Sequence, residues 1–114
     1  MYLNENQKYA LKTIKSEFKK RGNFTEETVG DIFLLVSKEL TFHFEFTEDA
    51  CFLTRFTMPK EHLANLPAEI FDTCEVYHVS KDAVGLEPDR FEIEDETDIA
   101  LIFSALEEAK ELSE

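Results

Sequence analysis

Cys74 and His78 are the residue types in this 114-residue chain best suited to nucleophilic chemistry, a thiol and an imidazole four positions apart. They sit in CEVYHVS (74–80), which alternates as a strand does, so both side chains fall on one face about 13 Å apart. That separation is far beyond the hydrogen bond a Cys–His pair needs. Zinc requires about four convergent ligands, and Cys51, His43 and His62 are scattered along the chain in no finger or ribbon spacing. Glu94, Glu96 and Asp98 alternate as calcium ligands would, but Ile99 then stands where an EF-hand loop needs Gly and Ala105 where it needs a bidentate acid. There is no Gly-rich phosphate loop, GxSxG, HExxH or CxxC, and the chain holds three Gly in all. The expectation is a non-enzyme with no catalytic residue, no metal and no cofactor.

Charge is the stronger signal. The chain carries 12 Lys+Arg against 25 Asp+Glu, a formal net charge of −13. Residues 1–22 hold six basic and two acidic groups, while residues 23–114 hold six basic and 23 acidic, so a basic segment is joined to an acidic body. The acidic maximum runs from Leu86 to Asp98, where Glu87, Asp89, Glu92, Glu94, Asp95, Glu96 and Asp98 face one base, Arg90. These seven acids are the candidate partner-binding residues. Asp95, Glu96 and Asp98 also suit a helix N-terminus, and outward acids on a strand block edge pairing, so solubility and capping compete with binding as their purpose. Such a surface repels phosphate backbones and anionic membranes, and it complements a basic protein. Direct nucleic-acid binding is therefore not expected.

The elements that position these groups follow from periodicity. A helix is expected from about Asn4 to Arg21, with Asn4 and Gln7 as a capping box and Gly22 as the stop. Ala10, Leu11, Ile14 and Phe18 share its apolar face, and Lys8, Lys12, Lys15 and Lys19 form a stripe beside it. A second helix is expected from Thr25 to Leu40, with Val29, Ile32, Phe33, Val36 and Leu40 at helical spacing and Phe24 stapled to Val29. Leu34 and Leu35 widen that stripe, which makes Leu34 the candidate contact of a homodimer.

From Thr41 the period changes to 2. Phe42, Phe44 and Phe46 lead through Thr47-Glu48-Asp49-Ala50 into a second strand with Phe52, Thr54, Phe56 and Met58 on one face. Loop length leaves open whether Phe46 faces Cys51 or Phe52. Residues 59–72 are expected as a connector with one or two helical turns, 74–80 as a third strand, 81–85 as a turn and Arg90–Glu94 as a fourth strand. A last helix is expected from Thr97 to Leu112, burying Ile99, Ile102, Phe103, Leu106 and Ala109. The resulting order, ααββ(α)ββα, predicts a single α+β domain over residues 1–114: an antiparallel sheet of about four strands, two N-terminal helices and one C-terminal helix. Glu107, Glu111 and Glu114 crowd the end of the last helix, which predicts that the lysine-bearing first helix lies beside it in the fold or meets it across a dimer.

No apolar run reaches the ~18–20 residues that span a bilayer, and MYLNENQKYALK lacks the apolar core of a signal peptide. A cytoplasmic protein with two reduced thiols is expected. In size, acidity and element order the chain resembles type III secretion chaperones, nuclease-immunity proteins and phage-encoded inhibitors. The resemblance implies a partner-binding role. The leading expectation is an acidic protein-binding module of the inhibitor or immunity type that engages a basic nucleic-acid-binding protein or nuclease. Alternatives are a dimeric acidic chaperone or adaptor holding a client segment, and a small enzyme or ligand-binding domain without a recognisable motif.

Overall fold

The computed structural model describes residues 2–67 and 74–114. Helix α1 (Glu5–Arg21) starts where expected: the Asn4 side chain accepts from the Gln7 N–H at 2.8 Å, and the Gln7 side chain accepts from the Asn4 N–H at 3.1 Å. Glu5 in the first turn and Lys19, Lys20 and Arg21 in the last complement the helix dipole. Helix α2 (Glu96–Leu112) begins with a second capping box, Asp95 with Asp98, and buries Ile99, Ile102, Phe103, Leu106 and Ala109. The two helices are neighbours, with Phe18 and Phe103 at 4.9 Å between ring centroids. Arg21 lies over Phe103 at 5.2 Å, whereas Lys15 pairs with Glu26 and lies over Phe33. Among the described residues no ion pair joins the lysine stripe to Glu107, Glu111 or Glu114.

The expected second helix is a β-hairpin. Strands β1 (Thr25–Val29) and β2 (Ile32–Val36) pair antiparallel through Val29↔Ile32, closed by the two-residue turn Gly30-Asp31 with Gly30 at φ +61°. Gly at the first central position admits the tight turn whose twist matches paired strands. Val29, Ile32, Phe33 and Val36 satisfy helical spacing, but Phe33 and Leu35 are buried while Ile32, Leu34 and Val36 are half-buried, a period of 2. β-Branched Thr25, Thr28, Val29, Ile32 and Val36 favour the strand locally. Phe24 packs on Phe18 at 5.1 Å.

Strands β3 (Thr41–Thr47) and β4 (Ala50–Pro59) follow, then a 3₁₀ turn (Lys60–Asn65), β5 (Cys74–His78) and β6 (Ala83–Pro88). The sheet has six strands in the order β1-β2-β3-β4-β6-β5, with every pair antiparallel. The α+β class therefore stands, but with one N-terminal helix and six strands instead of two helices and about four strands. Two strands come from the hairpin read as a helix. The strand expected over Arg90–Glu94 is instead Ala83–Pro88, because Val84, Gly85 and Leu86 pair with both neighbours; Glu92 makes a single bridge to Phe52. Ala68–Asp72 of the expected connector lie outside the described residues. Among the described residues no helix is long and apolar enough to cross a membrane.

The β3–β4 register places Phe46 opposite Cys51. It shifts by one residue between His43 and Phe44, so Cys51 and Leu53 face the helices before the shift and Phe56 and Met58 after it. Phe52 is thereby turned to the opposite face from Phe56, which corrects the simple alternation expected for this strand. Phe42, Phe44 and Phe56 are fully buried on the helix side, and Phe18 of α1 meets Phe42 at 4.9 Å and Phe44 at 5.6 Å edge-on. Truncating Phe18 to Ala should cost about 3–5 kcal/mol.

The turn between β3 and β4 is tied to the start of α1. Glu48 sits at φ +53°, where a side chain is strained, and the buried Gln7 amide donates to the Glu48 and Ala50 carbonyls, each at 3.1 Å. Asn4 adds a bond to the Asp49 carboxylate at 3.0 Å. Gln7→Leu should lower unfolding free energy by about 1–3 kcal/mol, since it strands two acceptors. Glu48→Gly should raise it by about 0.5–1 kcal/mol by removing the strain. Urea denaturation of both variants checks the pair, and a neutral Gln7→Leu contradicts the clamp.

Candidate acidic interface

The chain from Phe91 to Ile93 runs beside the first half of β4. Leu53 donates its N–H to the Phe91 carbonyl and Ile93 donates to the Cys51 carbonyl, both at 2.8 Å, and Ile93 is buried in the core. These bonds hold Glu92 and Glu94 on the outer side of a rigid backbone. Their carboxyls converge: the hydrogen bond that protonated Glu94 donates to Glu92, followed by the negative charge of Glu92, holds the Glu94 carboxyl above the usual carboxylate range. Asp98 and Asp95 add smaller repulsions. Arg90, the one base of the segment, lies over the Phe52 ring at 5.0 Å and does not pair with them.

The seven predicted acids divide into three groups. Glu87 is engaged by Arg55 at 2.7 Å. Asp95 accepts from the Thr97 N–H at 2.9 Å, and Asp98 accepts from the Glu94 and Asp95 N–H groups at 2.8 and 3.1 Å, so both build the α2 cap. Asp89, Glu92, Glu94 and Glu96 are left, with no ion pair among the described residues. Beside Glu92 and Glu94 opens a small cavity of about 270 Å³ that also takes in Asn6, Tyr9, Asp49 and Cys51. Asp49 is the acid that periodicity alone did not bring to the ridge, because only the Phe46↔Cys51 register sets the β3–β4 turn beside Glu92. Knowing that register would have been the signal.

Burial, with the Glu92 charge second, pushes the Cys51 thiol up to about 12, so the thiolate that alkylation or metal binding requires is scarcely populated at neutral pH. Cys74 and His78 occupy opposite ends of β5. Among the described residues no group of three or more His, Cys, Asp and Glu is placed to hold a metal ion.

Leu34 lies in β2 on the sheet face away from the helices, half-buried, with Glu27 and His43 as its cross-strand partners. Ile32, Val36 and Phe52 share that face. Arg55 crosses it to lie over Tyr77 at 4.8 Å, and Tyr77 in turn covers Gly85, where a Cβ would collide with the ring. Burial, with Arg55 second, lowers the pKa of His43.

The Glu92–Glu94 pair has a testable sign. A carboxyl whose pKa is raised by folding favours the folded state below the ordinary carboxylate range and loses that contribution as pH rises through its own midpoint. Glu92→Gln should bring the Glu94 midpoint down, followed by carboxyl NMR, and should stabilise the fold increasingly as pH rises from the ordinary carboxylate range through the wild-type midpoint, with no gain below that range. An unchanged Glu94 titration contradicts the coupling. Native-state alkylation should likewise spare Cys51 and reach it after denaturation. No protein-family model, no curated protein and no solved structure matches the chain, so its surface chemistry is the ground on which a function is proposed.

Proposed function

We propose that the protein is a non-enzymatic binding module of the inhibitor or immunity type, whose acidic ridge docks on a basic nucleic-acid-binding protein or nuclease. The supporting observation is the uncompensated carboxyl pair Glu92–Glu94, held close on backbone that two hydrogen bonds fix to β4. Arginine or lysine of a partner arriving there removes a repulsion that the free protein carries. No backbone ordering cost is added, because the segment is already pinned by the Leu53–Phe91 and Ile93–Cys51 bonds. Asp89 and Glu96 extend the anionic surface, and the net charge of −13 steers a cationic partner toward it.

Binding of this kind weakens sharply with salt. Partners captured at low ionic strength should be basic proteins, released by salt, and Glu92→Lys/Glu94→Lys/Glu96→Lys should bind them at least about tenfold more weakly, or about 1.4 kcal/mol. A folded variant that keeps the same partners with the same salt response overturns the proposal.

The open sheet face supports a second reading, a dimeric adaptor. Ile32, Leu34, Val36 and Phe52 leave half-buried apolar surface there, of the kind an isologous contact of over ~1,000 Å² would cover. Light scattering at ~100 μM should then give twice the 13.3 kDa chain mass, and Leu34→Asp should return it to monomer. A monomeric wild type removes this reading.

A further inference from the structure

The groove between α1 and β1 carries the opposite charge to the acidic body. Lys8, Lys12, Lys15 and Lys19 line its helix side, and the floor is apolar, with Phe18 and Leu35 buried and Leu11 and Phe24 half-buried. Its volume is about 980 Å³. Lys8 pairs with Glu5 and Lys15 with Glu26, both at 3.6 Å between exposed side chains. Such pairs are weak and easily exchanged. Among the described residues no ion pair involves Lys12 or Lys19.

The other wall is the edge of the sheet. β1 pairs only with β2, and all five of its residues are exposed, Val29 at 57%. The Phe46 N–H to Asp31 carbonyl bond, 3.0 Å, sets the phase of the ladder. With Ile32 opposite Glu45, it follows that Phe33 and Leu35 bond toward β3, while Ile32, Leu34 and Val36 bond toward Val29, Glu27 and Thr25. Glu26 and Thr28 therefore point their N–H and C=O groups away from the sheet, open to a further strand. The lysine stripe spans about 16 Å along the helix, and five residues of strand span about 17 Å.

We infer that this groove binds an acidic peptide segment of another protein in extended form, pairing its backbone with Glu26 and Thr28 and directing carboxylates to Lys12 and Lys19. Main-chain pairing supplies affinity and the lysines supply selectivity. A strand edge and an apolar floor recognise peptide backbone, whereas a polyanionic nucleic acid would also meet the acidic body. The chain's own Glu107–Glu111 cannot be the segment as folded, since it is helical in α2. The acidic ridge lies beside β4, with β2 and β3 between, and the cavity beside it shares no lining residue with the groove.

The probe is a synthetic peptide of about ten residues alternating Glu and Val, titrated into isotope-labelled protein at low salt. NMR shifts should concentrate in α1 and β1. Affinity should fall about tenfold or more both for Lys12→Glu/Lys19→Glu and for a peptide N-methylated at alternate amides, with the circular dichroism of the variant unchanged. Shifts elsewhere, equal affinity of the variant, equal affinity of the N-methylated peptide, or tighter binding of single-stranded DNA at the same residues would each overturn the proposal. Concentration-dependent shifts at β1 without peptide would identify a second copy as the occupant and overturn it as well.

Discussion

The Phe18 ring stands edge-on to Phe24, Phe42, Phe44 and Phe103, with centroids 4.9–5.6 Å apart. Through these contacts α1, the approach to β1, strand β3 and α2 meet at one point on one face of the sheet. Edge-to-face rings interlock in a way that aliphatic contacts do not, so the angle of each element is set along with its distance. Both helices are used on this face. The other is left to side chains alone, which is why Ile32, Leu34, Val36 and Phe52 stay half-buried and why Arg55 and Tyr77 lie flat over the sheet.

The same one-sided packing separates the charges. α1 rests on the phenylalanines through Ala10, Ile14 and Phe18, which turns its lysines toward β1, while the acidic ridge falls on the segment between β6 and α2. The ion pairs formed between exposed groups contribute little to folding. What they leave unpaired matters more. Glu92 and Glu94 keep their repulsion because Arg90 lies on Phe52, and Lys12 and Lys19 keep their charge because Glu26 reaches Lys15. One molecule thus offers an anionic ridge and a cationic groove on different strands, each suited to a partner of opposite sign.

Signals confined to about four residues were legible in the sequence. Asn4 with Gln7 marked the start of α1, and the apolar faces of both helices were readable because caps and helical faces depend only on near neighbours. The acidic maximum was legible for the same reason, as composition. The Thr25–Leu40 segment was not, because Val29, Ile32, Phe33 and Val36 fit periods of 3.6 and 2 alike; β3 settles the matter by offering β2 a partner strand.

Charge, caps, helix faces and the Phe-rich period of β3 were thus determined by the sequence itself. Tertiary structure alone decided the hairpin at Gly30-Asp31, the bulge that turns Phe52 outward, and the convergence of Glu92 with Glu94 and Asp49 beside Cys51. The physical reason is common to all three. Strand pairing satisfies backbone groups with partners distant in sequence, and a register chosen by core packing fixes the face on which each side chain emerges.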